Sequence, residues 1–248
     1  MNSAVSILMY HQVGPFSKVK THRSTYCHHR RFAAQMRFLS LMGYTVMGLD
    51  DVFKSWKEVT PIKRRSVVLT FDDGYRNFYD YAFPELKKYG FPATVYLISN
   101  LIDHSALWLK EEGREAPEML TRDQIAQLQR SGVTFGSHGV HHRKLAKIES
   151  DEMKFEVHQG KVDLEKLLGQ AVEHFCYPYG NYSLEVIRTV QEAGFSSAVT
   201  CLRAAANPRF DPRELPRKAI SYGDSLLGFW WKLMFKNRPK RQPLSPFF

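Results

Sequence analysis

Val67-Val68-Leu69-Thr70-Phe71-Asp72-Asp73-Gly74 is the stretch on which the fold turns. Val67 to Phe71 is an unbroken run of strand-forming residues closed by a turn signal, the pattern of a strand buried in a parallel sheet. Two adjacent carboxylates at the end of such a strand repel each other and lose hydration, so they need a cation or a catalytic task. A second polar cluster, Ser137-His138-Gly139-Val140-His141-His142, also follows an apolar run. Two histidines four residues apart, with one of the carboxylates, give the three N/O ligands and open position of a catalytic site for zinc or a similar divalent ion. Asp-Asp-Gly by itself is a turn sequence, and a His-rich segment by itself is a polar loop. Both follow strands, where parallel α/β folds gather active-site residues, and the conjunction is what points to chemistry.

Outward from these clusters, strand-like runs at Val5 to Met9, Tyr44 to Leu49, Val67 to Phe71, Ala93 to Ile98, Val133 to Gly136, Glu173 to Tyr177, Ser197 to Thr200 and Arg217 to Ser221 alternate with segments of helical period. Alternation of this kind predicts a parallel sheet with crossover helices, an α/β fold of TIM-like barrel type. One helix carries Phe32, Met36 and Leu39 at i, i+4, i+7 and stops at Gly43. A second opens on Thr121 with Gln124 as a capping box, a third is expected to be capped by Ser150, and a fourth runs from Ser183 to Gly194. Glycines before Tyr44, Phe91, Val133 and Phe195 each close a helix and open a strand, a recurring αβ junction. Lys110 to Glu118 reads as a loop, either an exposed connection or a cover over the barrel mouth.

The 248 residues, 44% hydrophobic and 13% aromatic, suffice for one α/β core. Residues 1–224 are assigned to the catalytic barrel and 225–248 to a basic, aromatic tail. Three cysteines (Cys27, Cys176, Cys201) without Cys-x-x-Cys spacing make a disulfide framework improbable. The N-terminus lacks a cationic leader, and no run reaches the roughly 18–20 apolar residues of a membrane span. A cytoplasmic location is the expectation.

On these residues the chain resembles the polysaccharide deacetylases, the NodB-like carbohydrate esterases of family 4. The family's Thr-Phe-Asp-Asp-Gly stands complete at Thr70 to Gly74, and its His-(Ser/Thr)-x-x-His aligns with His138 to His142, with Gly139 in place of the hydroxyl residue. The third motif, Arg-x-Pro-Tyr-Gly, aligns with Tyr177-Pro178-Tyr179-Gly180 without its arginine. The C-terminal Leu-x-His that carries the family's general acid is missing, since no histidine follows His174. Tyr10-His11 near the N-terminus is similar to the permuted poly-N-acetylglucosamine deacetylase branch. In a closed barrel the first and last strands are neighbours, so a histidine can change chain ends and face the same pocket.

The resemblance implies an irregular (β/α)7 barrel and a metal-dependent N-deacetylase. It assigns the metal to Asp73, His138 and His142 and the general base to Asp72; spacing alone leaves the two carboxylates interchangeable. It favours His142 over the competing His141, and places an oxyanion-binding N–H at Tyr179. His11 is the candidate acid, with Asp211 as its orienting partner, and Arg217 the candidate for the lost arginine beside Asp72. Zinc is the expected ion, with cobalt, nickel and manganese as alternatives. The implied substrate is an N-acetylated amino sugar of a cell-envelope glycan, polymeric or lipid-linked. The competing reading is a non-catalytic carbohydrate-binding relative.

The net charge of +10 resides at the two ends: six Lys/Arg and no acid precede Asp50, and five Lys/Arg and no acid follow Asp224. Beside Phe229, Trp230, Trp231, Met234 and Phe235, such charge suits an anionic membrane surface, here the inner face. No nucleic-acid motif accompanies it, and nucleic acid is not an expected partner.

Overall fold

The computed structural model describes residues 4–111, 113–239 and 242–245. Its strands are β1 (Ser6–Tyr10), β2 (Gln12–Gly14), β3 (Tyr26–His28), β4 (Thr45–Val46), β5 (Ser66–Phe71), β6 (Thr94–Leu97), β7 (Thr134–Ser137), β8 (His174–Cys176), β9 (Ser197–Val199) and β10 (Lys218–Ala219). The α-helices are α1 (His29–Leu41), α2 (Leu49–Lys57), α3 (Phe83–Tyr89), α4 (Trp108–Glu111), α5 (Arg122–Arg130), α6 (Ser150–Leu168), α7 (Leu184–Glu192) and α8 (Leu226–Phe235). Among the described residues the main sheet runs β10-β1-β5-β6-β7-β8-β9 with every neighbour parallel, and β4 adds to β5 beside the start of that strand. A parallel bridge between Val199 and Leu215 joins β9 to the segment that leads into β10. The fold is thus the expected α/β type, a curled parallel sheet wrapped by helices. First and last strands pair directly, Leu8 with Lys218 and Met9 with Ala219.

Period-2 alternation sorts the strand residues into two cores. Ile7, Val68, Tyr96, Cys176, Val199 and Leu215 pack inside the curl, while Leu8, Leu69, Val95, Phe135, Phe175 and Ala198 pack under the helices. Asp72 shares parity with Val68 and Thr70, which aims it inward rather than at the helix layer. The four αβ junctions are alike: Gly43, Gly90, Gly132 and Gly194 are left-handed, and each following N–H returns to the carbonyl five residues earlier, as in Phe91 to Leu86 at 3.1 Å.

Some expectations are corrected. Tyr44 to Leu49 is strand only at Thr45–Val46, because Leu49 already opens α2, whose first turn holds Asp50 and Asp51 at the positive end of the helix dipole. Ser150 does not cap α6. Glu149 occupies the cap position, and the Ser150 hydroxyl donates to Glu185 Oε1 at 2.9 Å, tying α6 to α7. The pair β2 and β3 has no counterpart among the expected strands. Within 225–248, Phe229 and Leu233 of α8 are buried, with Phe229 edge-on to Phe38 of α1. The N–H groups of Leu244 and Ser245 donate to the buried carboxylate of Glu214 at 2.6 and 2.7 Å. Lys240 and Arg241, counted in the terminal charge, lie outside the described residues. No helix among the described residues is long and apolar enough to cross a membrane.

Candidate active site

At the C-terminal end of β5 the chain reverses through Asp73 (φ 75°) and Gly74 (φ 77°). At the end of β7, Gly139 and His142 are left-handed (φ 80° and 59°), and Tyr179 after β8 is too (φ 57°). Left-handed backbone costs a side-chain-bearing residue on the order of 1 kcal/mol, and such strain gathers at functional sites. Asp73, His142 and Tyr179 all line one cavity of about 160 Å³, together with His11, Asp72 and His138. Trp108, Leu109 and Arg114 form a further wall, so part of the Lys110 to Glu118 region does reach the mouth.

The two carboxylates have separate surroundings. Asp72 is clamped by Arg217 through two parallel bonds, Nη1 to Oδ1 at 2.6 Å and Nη2 to Oδ2 at 2.8 Å. That guanidinium is fully buried and also donates to Thr70 Oγ1, the Thr200 carbonyl and Cys176 Sγ. Burial alone would raise the Asp72 pKa, but the charges of Arg217 and His11 outweigh it and hold the carboxyl below its usual range. His11 Nε2 stands 3.7 Å from Asp72 Oδ2. Asp211 is not its orienting partner: the Asp211 carboxylate accepts the Arg213 N–H, and the buried His11 Nδ1 has no hydrogen-bond partner.

Asp73 faces the histidines instead. Its Oδ1 lies 3.2 Å from His138 Nε2 and 3.4 Å from His142 Nε2. Donor atoms around a tetrahedral ion with bonds near 2.0–2.1 Å are about 3.3 Å apart, so this trio has the spacing of a divalent-metal set. The His138 Nδ1 sits 2.7 Å from the Cys176 carbonyl, which fixes the tautomer and leaves Nε2 free to ligate. Burial lowers His138, yet Cys176 and Asp73 together push its pKa well up, and a cation bound at this pair would displace that proton. A second trio, Asp72, His138 and Cys176, fits less well, because Arg217 already supplies the cation for both Asp72 and Cys176. His142 is held between the rings of Trp108 and Tyr179, at 4.9 and 4.4 Å, and burial lowers its pKa. His141 turns away, its Nδ1 2.6 Å from Glu156 Oε1.

Glu156 is the residue that sequence reasoning missed. It is buried on α6, and its Oε2 accepts the N–H groups of both Val140 and His141 at 2.9 Å. The turn that carries His138 and His142 is therefore anchored on a helix. Close approach requires glycine at both contacts: a Cβ on Gly139 would lie 3.0 Å from Glu156 Oε2, and one on Gly160 would lie 3.1 Å from Gly139 C. Here is a physical reason for Gly139 where the family carries a hydroxyl. The signal was present in α6, whose buried stripe of Met153, Val157, Leu164 and Leu168 is interrupted by Glu156 and Gly160, one turn apart.

The fold and these motifs define the class: the chain belongs to the polysaccharide deacetylase family, whose model matches residues 60–198. It is 26% identical over 219 residues to YxkH of Bacillus subtilis, covering 88% of this chain and 72% of that one. It is 27% identical over 203 residues to the poly-beta-1,6-N-acetyl-D-glucosamine N-deacetylase of Staphylococcus epidermidis, covering 77% and 67%. Among solved structures it is similar to the Streptococcus pyogenes deacetylase PplD in complex with acetate, with a TM-score of 0.80, 25% identity and 93% and 98% of the two chains covered. IcaB from Ammonifex degensii shares the fold, with a TM-score of 0.78, 23% identity and 93% and 97% covered.

Proposed function

We propose that this chain is a metal-dependent N-deacetylase that removes acetyl groups from an N-acetylated amino-sugar polymer of the poly-β-1,6-N-acetylglucosamine type. The observation that carries the proposal is the division of labour between neighbouring carboxylates. Asp73 meets two histidines at ligand spacing, and Asp72 meets an arginine that keeps it ionised. A divalent ion held by Asp73, His138 and His142, zinc or else cobalt, nickel or manganese, supplies Lewis acidity and lowers the pKa of water. Asp72, fixed in one rotamer by Arg217, accepts the proton of the attacking water. His11, which lines the same cavity 3.7 Å from Asp72, delivers a proton to the amine, which is too basic to leave unprotonated. The Tyr179 N–H, on the turn after β8, contributes to holding the oxyanion. A neighbouring cavity of about 530 Å³ shares Trp108, His142 and Tyr179 and adds the exposed ring of Phe155, which offers room for adjoining sugar rings and supports a polymer over a single sugar.

Acetate release from poly-β-1,6-N-acetylglucosamine oligomers, measured with the metal content of the same samples, tests the proposal. Asp72→Asn is expected to keep the ion and lose turnover by about 10²–10⁴, whereas Asp73→Asn loses the ion. No release from any N-acetylhexosamine oligomer by metal-loaded protein would favour the non-catalytic carbohydrate-binding reading. A cytoplasmic site of action at an anionic membrane face is part of the proposal. The membrane face is supported by the terminal charge and the exposed Leu227, Trp231 and Phe235 of α8.

A further inference from the structure

The barrel holds a further cavity at the end opposite the candidate active site, beside the first residues of its parallel strands. It has a volume of about 470 Å³ and lies between the first residues of β1 and β5, Ser6 and Ser66, and the C-terminal turn of α8. Arg64 and Arg65 stand on its wall, and among the described residues no Asp or Glu lines it. Arg65 Nη1 donates to the Met42 carbonyl, a neutral partner. Neither arginine forms an ion pair among the described residues.

A further cation lies behind the lining residues Ser6, Leu233 and Asn237. Lys218 is buried, and its Nζ donates to Ser6 Oγ at 2.9 Å, the Leu233 carbonyl at 3.1 Å and Asn237 Oδ1 at 2.7 Å, all uncharged acceptors. An ammonium withdrawn from water without a carboxylate raises the local potential, and burial correspondingly pushes its pKa down to about 8. The buried Ser66 hydroxyl, on the same wall, has no hydrogen-bond partner. Two arginines and Ser66 therefore line a space without a carboxylate among the described residues, and a buried ammonium stands behind its wall, the signature of an anion site.

We propose that this cavity binds a phosphate ester of a small polyol, with Arg64 and Arg65 on the phosphate and Ser66 completing its hydrogen bonds. Guanidinium groups match phosphate oxygens two at a time. A bare phosphate leaves most of the volume empty, and Asn207 and Asn237 on the wall suit the hydroxyls of a polyol. The ester comes either free in solution or as a phospholipid headgroup. Met234 joins the cavity to the exposed apolar face of α8, so both sources have access.

Titration calorimetry of the metal-loaded full chain with glycerol 3-phosphate at low salt forms one arm. Co-sedimentation with vesicles of phosphatidylglycerol and phosphatidylcholine, against phosphatidylcholine alone, forms the other. One-to-one binding of glycerol 3-phosphate that weakens at least tenfold in Arg64→Ala and in Arg65→Ala, and several-fold in Ser66→Ala, supports a free ester. Both arginines are exposed, so their loss leaves the fold intact. Vesicle binding with the same arginine dependence, and none of the free ester, supports the headgroup. Binding that survives the Arg64→Ala/Arg65→Ala double variant, as phosphate drawn to the metal set would, overturns the proposal, and so does the absence of binding in both arms.

Discussion

Removing the Glu156 carboxylate should loosen the metal site from behind. In Glu156→Ala the Val140 and His141 N–H groups lose their acceptor, and His141 loses its ring contact. An orphaned buried donor costs about 1–3 kcal/mol, which applies to the Val140 N–H, while water can reach the part-buried N–H of the exposed His141, so a loss of about 1–3 kcal/mol in unfolding free energy is expected. Glu156→Gln retains an oxygen for the N–H pair and forfeits only the charge assistance, about 1–2 kcal/mol. The same turn carries His138 and His142, and supports of this kind are worth about 10–100-fold in metal affinity. Urea unfolding gives the first quantity, and competition against a chromophoric chelator gives the second. If Glu156→Ala loses stability but binds zinc as tightly as the unaltered chain, the carboxylate anchors the fold alone and the argument is refuted.

Arg217→Lys keeps the charge but not the fork, so turnover is expected to fall about a hundredfold through misplacement of Asp72, with metal content unchanged; unchanged turnover in a steady-state assay would argue against the clamp. His11→Gln is expected to keep the ion and lower turnover by about 10²–10⁴, and a rate equal to that of the unaltered chain would remove His11 as the acid. Lys218 predicts a pH effect on stability. Its pKa is about 8 in the fold against 10.5 ordinarily, so between these values the folded chain has released a proton that the unfolded chain keeps. Stability therefore rises with pH across that window, by up to about 3 kcal/mol at 1.36 kcal/mol per pH unit. Denaturation midpoints from pH 7.5 to 10.5 check the rise, which Lys218→Met should abolish.

The parallel strands were legible because they are apolar runs opened by a glycine junction or closed by a polar cluster, whereas the direct pairing of β1 with β5, with β4 set off the main path, was not. What sequence could not convey was set by tertiary contact. The strands β2 and β3, three residues each, form only because Gln12–Gly14 and Tyr26–His28 meet across a loop. Helix α2 hid behind Leu49, which continues the apolar character of the strand before it. In the candidate site, the Asp-Asp and His clusters announced themselves by residue type, and Arg217 was singled out as a cation on the last strand. Glu156 did not stand out, since one carboxylate in a helix rich in charge looks solvated until the loop that it holds is in view.

Asp72 draws its neighbours from both extremities of the polypeptide: His11 from just after the first strand, and Arg217, 145 positions beyond Asp72 itself, from just before the last. A nascent chain that has completed β5 to β8 already owns Asp73, His138 and His142. Until residue 217 arrives, it carries Asp72 without the cation that makes its burial tolerable. The surroundings of Asp72 are therefore complete only when nearly the whole chain is present. A chain ending before β10 would keep the three residues proposed to hold the metal, yet lack both the strand that pairs with β1 and the arginine that keeps Asp72 ionised, so on the proposed roles the ligand set and the base are completed at different points along the sequence.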